Sequence, residues 1–134
     1  MSLIADIIDQ HRISKGQCLY VKPYMDARKI TTFLKCINRD LEINLGISDV
    51  LLFFAEKSSG SKGIAVTEDH LVVSMGMAGI FNLISIESAT ISGIVNRKII
   101  LGLQGGQVIS FVLTRGNKDA RTLFEILAQY INQA

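Results

Sequence analysis

The sequence predicts an α+β fold: a meander of short antiparallel strands, closed into a seven-stranded barrel or sandwich and capped by a C-terminal helix. Three observations predict it. From Leu52 to Thr114 short apolar, β-rich runs alternate with Gly and polar turns. A single amphipathic stretch, Asn117 to Gln133, then closes the chain, and two helical periodicities precede the strands. At 134 residues the chain fits one domain and buries about two-thirds of its unfolded surface without metal or disulfide staples.

The elements follow in order. Leu3, Ile4, Ile7 and Ile8 recur at helical spacing over Ser2 to Gln10, a short helix that packs on the body or on a second copy. Residues 11–24 form a connector that holds Gly16 and the only proline, Pro23, and in which Cys18-Leu19-Tyr20-Val21 reads as extended. Asp26 offers a capping oxygen to a second helix, whose apolar face is Ile30, Phe33, Leu34, Ile37 and Leu41 and which ends near Asn44 to Gly46. Strands are predicted at Val50–Lys57, Ile64–Thr67, Leu71–Ser74, Ile80–Ile86, Thr90–Val95, Ile99–Leu103 and Val108–Leu113. In the last helix Asn117 is the expected cap, Asp119 suits the positive end of the dipole, and Leu123, Ile126, Leu127, Tyr130 and Ile131 share one stripe facing the strands. Residues 1–46 thus read as a helical extension and 47–134 as the β-rich domain, one compact unit together.

Composition bounds the function. Apolar residues make up 49% of the chain and charged ones 19%, an excess of apolar surface that predicts self-association into a homo-oligomer. The net charge of +2 is spread along the chain, without the basic footprint of a nucleic-acid groove. The charge-free stretch Leu71 to Ile86 falls short of the ~20 residues that span a bilayer and is broken by Gly76 and Gly79, so two strands and a turn are expected there. Asp6 and Asp9 stand where a signal peptide carries positive charge, which predicts a cytoplasmic protein.

The order of strands and closing helix resembles the pleckstrin-homology-like (PH-like) domains of bacterial proteins. In those families a strand enters a Thr-x-x-x-apolar turn, and Gly63 to Val73, with Thr67 before Glu68-Asp69-His70-Leu71, stands in that place. An Ile-Pro-x-x-x-Ile strand is their next landmark. Ile84-Ser85-Ile86-Glu87-Ser88-Ala89 matches it with Ser85 in place of the proline and Ala89 in place of the second Ile. The resemblance covers about Asp49 to Gln133 and implies a binding module rather than an enzyme, although fold alone confers no function.

Chemistry-bearing residues are sparse. His11 and His70 have no second ligand at i+3 or i+4, and Cys18 and Cys36 lack metal-ligand spacing, so no cofactor or metal is predicted and both thiols read as reduced. An enzyme built on Asp69 and His70, paired with one of the cysteines, is the remotest reading. Gly102, Gly105 and Gly106 lie between β-rich runs instead of opening a helix, which makes them a hairpin turn and not a phosphate cradle.

In a PH-like barrel the connections after the first, third and sixth strands emerge at one mouth. They carry Lys57, Ser58, Ser59, Ser61 and Lys62 in the first, Met75 and Met77 in the second, and Gln104 to Gln107 in the third, with Arg97 and Lys98 at the opposite mouth. This grouping is the candidate ligand-binding site. The function expected is a non-enzymatic interaction module with a protein partner, and the alternative is a peripheral binder of anionic lipid at a membrane surface.

Overall fold

The structure is a computed structural model describing residues 2–11, 13, 18–57, 59–94 and 96–134. Its helices are α1 (Leu3–Gln10), α2 (Ala27–Leu41) and α3 (Asn117–Gln133). Its strands are β1 (Leu19–Val21), β2 (Leu52–Ala55), β3 (Gly63–Val66), β4 (His70–Ser74), β5 (Ala78–Asn82), β6 (Ile86–Ser92), β7 (Arg97–Leu103) and β8 (Val108–Leu113). They form two antiparallel sheets, one ordered β1-β2-β3-β4-β5 and the other β6-β7-β8.

The α+β order and the closing helix are as expected, but the closed barrel is not. Among the described residues β5 and β6 do not pair. A turn of 3-10 helix, Leu83–Ser85, stands between them, held by Leu83 N–H to the carbonyl of Asp69 (2.9 Å) and Ser85 Oγ to that of Asn82 (2.7 Å). That turn sends the chain from one sheet to the other, so two open sheets replace a ring. The predicted strand Ile80–Ile86 accordingly ends at Asn82, and residues 87–89, between two predicted strands, belong to β6. The strand count is eight among the described residues, because Leu19–Val21 pairs antiparallel with β2, Tyr20 opposite Phe53.

Alternation along the central strands builds two cores on opposite faces of the five-stranded sheet. Leu52, Phe54, Ile64, Val66, Leu71 and Val73 point into a core shared with α1, α3 and the three-stranded sheet. Phe53, Ala55, Ala65 and Val72 point the other way and meet Ile30, Phe33, Leu34 and Ile37 of α2. This sandwiching explains why β2 and β3 are buried on both faces and read as continuous apolar runs.

The helices are thereby placed. Asp26 caps α2 as expected, accepting from Lys29 N–H at 3.1 Å. Helix α1 buries Ile4, Ile7 and Ile8 within the chain's own core, with Leu3 left at its margin, so its apolar stripe extends that core. His11 Nε2 lies 3.0 Å from Gln129 Oε1, and Gln129 Nε2 donates to Gln10 Oε1, which ties α1 to α3. Helices α1 and α2 and strand β1 are therefore built into the body.

Helix α3 lies mainly on β6 and buries Ala120, Leu123, Ile126 and Leu127. Its expected cap is corrected. The helix starts after Gly116, which is left-handed (φ 57°), and the Asn117 side chain serves elsewhere, accepting from Arg97 Nε and donating to the carbonyl of Ile94 at 2.6 Å. Asp119 accepts from Cys18 N–H (2.9 Å) and fixes the chain leading into β1.

Candidate functional site

The loop after β2 is closed by its own backbone. Glu56 and Lys57 N–H both donate to the carbonyl of Lys62, at 2.9 and 3.2 Å, and Gly60 N–H donates to that of Lys57 at 2.9 Å. Gly60 is at φ +86°, and a Cβ there would come within 2.2 Å of the Lys29 carbonyl oxygen, so only glycine lets the loop lie against the start of α2. Ser74 Oγ donates to the carbonyl of Ser61 (3.4 Å), which sets the loop beside the turn Met75–Met77.

Between this loop and the end of β8 lies a cleft of about 740 Å³. Lys57, Ser59, Lys62 and Met75 line it, four of the residues singled out from the sequence. Ser61 and the exposed Met77 stand outside its lining, and Ser58 lies outside the described residues. The expected third contributor, Gln104–Gln107, is absent from the lining among the described residues. Ser110, Phe111, Val112, Thr114 and Arg115 take its place. The hairpin at Gln104 opens β8, whereas the cleft forms where β8 ends. Arg97 is corrected too: it pairs with Leu113, so it and Lys98 sit at the cleft end of the second sheet, not at an opposite mouth.

Glu56 holds the two sheets together at this point. It is 7% exposed, and its Oε1 accepts from Thr114 N–H (2.9 Å) and from Thr114 Oγ1. Arg115 Nη1 donates to the Glu56 carbonyl (3.4 Å), while Oε2 is buried without a hydrogen-bond partner. A buried acceptor left unmatched costs about 1–3 kcal/mol, tolerable here because the same side chain satisfies two donors of Thr114. Nothing in a lone glutamate after an apolar run signals this role; only the fold brings residue 114 to it. Glu56→Ala should lower unfolding free energy by about 1–3 kcal/mol, because it strands those donors, and Glu56→Gln should retain more stability by keeping one acceptor. Urea denaturation of both variants reads the difference, and equal losses would contradict it.

The candidate catalytic groups are dispersed. Cys18 lies beside the Ala55 end of β2, its carbonyl accepting from Ala55 N–H (2.8 Å), and that end aligns with Gly63 and Ser74. His70 lies at the other end of the sheet, in register with Asn82. Its N–H donates to Thr67 Oγ1 (3.0 Å), which closes the turn that carries the PH-like resemblance. Burial raises the Cys18 pKa, with Asp119 and Glu56 adding to the rise and Arg115 and Lys29 opposing it. At neutral pH that thiol is therefore protonated, and at 1% exposure it is shielded from reagents. Cys36 lies on α2, across the sheet from that core. Among the described residues no three His, Cys, Asp or Glu side chains gather as a metal site, and no helix is long and apolar enough to cross a membrane.

Fold and cleft define an α+β chain of two antiparallel sheets with a closing helix. In comparison with known proteins, no family profile and no curated protein matches it.

Proposed function

We propose that the chain is a PH-like, non-enzymatic protein-interaction module whose partner docks in the cleft beside β8. The support is one of order: seven strands, β2 to β8, followed by α3 resemble the seven strands and closing helix of PH-like domains, with β1 and the first two helices added. The observation that carries the reading is β8 itself. It is an edge strand, and Val-Ile-Ser-Phe-Val-Leu contains none of the charges or prolines that blunt exposed edges. Along that edge lies the cleft, with Lys57, Lys62 and Arg115 on its walls.

The test compares immobilised wild type with Ser110→Pro, which blocks an edge position, in retaining proteins from a lysate. Proteins retained by wild type and lost by the variant are expected. Identical sets would sink the reading.

A second reading, docking on an anionic membrane surface, gains from Arg115, which joins the two lysines. The three cations of the cleft lining fall short of the four to eight that mark lipid-binding clusters, at about 1 kcal/mol each, and Arg97 and Lys98, at the same end of the second sheet, stand outside that lining. Sedimentation with phosphatidylserine vesicles should show no binding at physiological salt. Binding that Lys57→Ala/Lys62→Ala removes would replace the first reading with the second.

A further inference from the structure

The edge of β8 has a definite parity. Leu103 N–H donates to the carbonyl of Gln107 (2.7 Å), closing the β7–β8 hairpin. Hydrogen-bonded pairs in an antiparallel ladder recur at every second residue, so Ile109, Phe111 and Leu113 turn their backbone groups toward β7. Val108, Ser110, Val112 and Thr114 turn theirs away. Thr114 confirms the direction, because its N–H meets Glu56 Oε1 and not β7.

At Thr114, then, the Glu56 carboxylate occupies the place of an acceptor on a neighbouring strand. The next rungs along the same edge, Val112 and Ser110, face the cleft, and among the described residues no strand but β7 pairs with β8. Glu56 thus stops the edge at one end and leaves the rest as a template.

We infer that the cleft receives an extended acidic peptide segment, which adds as a strand to the β8 edge through Ser110 and Val112 and sets its carboxylates against Lys57, Lys62 and Arg115. This rests on the interaction-module reading and gives its partner a chemistry. Backbone pairing supplies affinity in strand addition, and the side chains at alternate positions supply selectivity. Three cations, Lys57, Lys62 and Arg115, and one carboxylate, Glu56, line the cleft, so the cations outnumber the carboxylate and the net charge facing a ligand is positive. Val112, 44% exposed on the outer face of β8, offers an apolar neighbour to alternate residues of the added strand.

Ser110→Pro separates edge pairing from folding. The proline removes an N–H that faces the cleft, not one that bonds β7, and edge strands tolerate proline in that orientation. The probe is a fluorescein-labelled, eight-residue peptide of alternating Glu and Val, with an alternating Lys and Val peptide as the charge control, read by anisotropy. Wild type should bind the acidic probe, more weakly as salt rises, and the Lys control should not bind. Ser110→Pro, checked for folding by circular dichroism, should weaken binding about tenfold, as loss of one well-made hydrogen bond allows. Lys57→Ala/Lys62→Ala, changed only at exposed positions, should weaken it several-fold and flatten the salt dependence.

Equal binding of both peptides would overturn the charge argument, and unchanged binding by Ser110→Pro would overturn the edge. A doubled mass in light scattering that Ser110→Pro returns to 14.7 kDa would overturn the peptide in favour of a second copy of this chain. Binding to phosphatidylserine vesicles without binding to the acidic probe would overturn it in favour of lipid. If the probe fails while Ser110→Pro still loses partners from a lysate, the acidic chemistry is wrong and the module reading stands; if both fail, both fall.

Discussion

Phe53→Ala should lower the unfolding free energy by about 3–5 kcal/mol, the usual cost of removing a buried phenyl ring. Phe53 is fully buried in the middle of β2 on the face covered by α2. Its ring lies 4.9 Å from that of Phe33, tilted at 51°, and 6.3 Å from Tyr20 in a stacked arrangement. Ala55 and Ala65 on the same face are too small to collapse into the space, and Gly63 has no side chain: a Cβ there would meet Phe53 Cε1 at 2.9 Å. The vacated volume should therefore persist as a cavity, which places the loss high in the range. Phe53→Leu, refilling much of the space, should cost distinctly less. Chemical denaturation monitored by circular dichroism measures both. A loss below about 1 kcal/mol for the alanine variant would mean that α2 rides loosely on the sheet.

The same face shows what the sequence could and could not reveal. The periodicity of Ile30, Phe33, Leu34 and Ile37 marks a helix with one buried side, and the alternation of apolar residues marks the strands. Local pattern does not state which sheet face a helix covers. Leu52 to Ala55 are apolar throughout because the strand is buried on both sides, and such a run has no polar face to orient it.

That the strands form two sheets and not the closed barrel has a similar cause. Leu83 is apolar and buried like a strand residue, and the bond from its N–H to Asp69, fourteen positions back, turns the chain between sheets. The site divides in the same way. Lys57, Ser59, Lys62 and Met75 come from neighbouring hairpins and could be grouped from strand order, whereas Thr114 and Arg115 meet Glu56 across a sequence separation of nearly sixty residues. Asn117 misled because it suits a helix cap by type, but Arg97 and the carbonyl of Ile94 engage its side chain instead.

Leu127→Ala should destabilise the fold by about 2–5 kcal/mol. Leu127 is 1% exposed and lies with Ala120, Leu123 and Ile126 on the face of α3 that joins the core containing α1 and both sheets. The two sheets are not closed into a ring, so this helix stands where strand pairing would otherwise seal the core, chiefly over β6. A substitution on the outer face supplies the contrast. Arg121 and Glu125 form an exposed i,i+4 pair at 3.7 Å, and Arg121→Ala should change stability by no more than about 0.5 kcal/mol. Phe111 and Val112 make the same division on β8: Phe111 is 6% exposed and faces the core, and Val112 faces outward, so Phe111→Ala should be costly and Val112→Ala mild. Because α3 also holds α1 through Gln129, the loss at Leu127 should propagate to the first helix, read as faster hydrogen exchange in Ile7 and Ile8 than wild type shows. Stability near that of wild type, with exchange in α1 unchanged, would show that the closing helix does not seal the core.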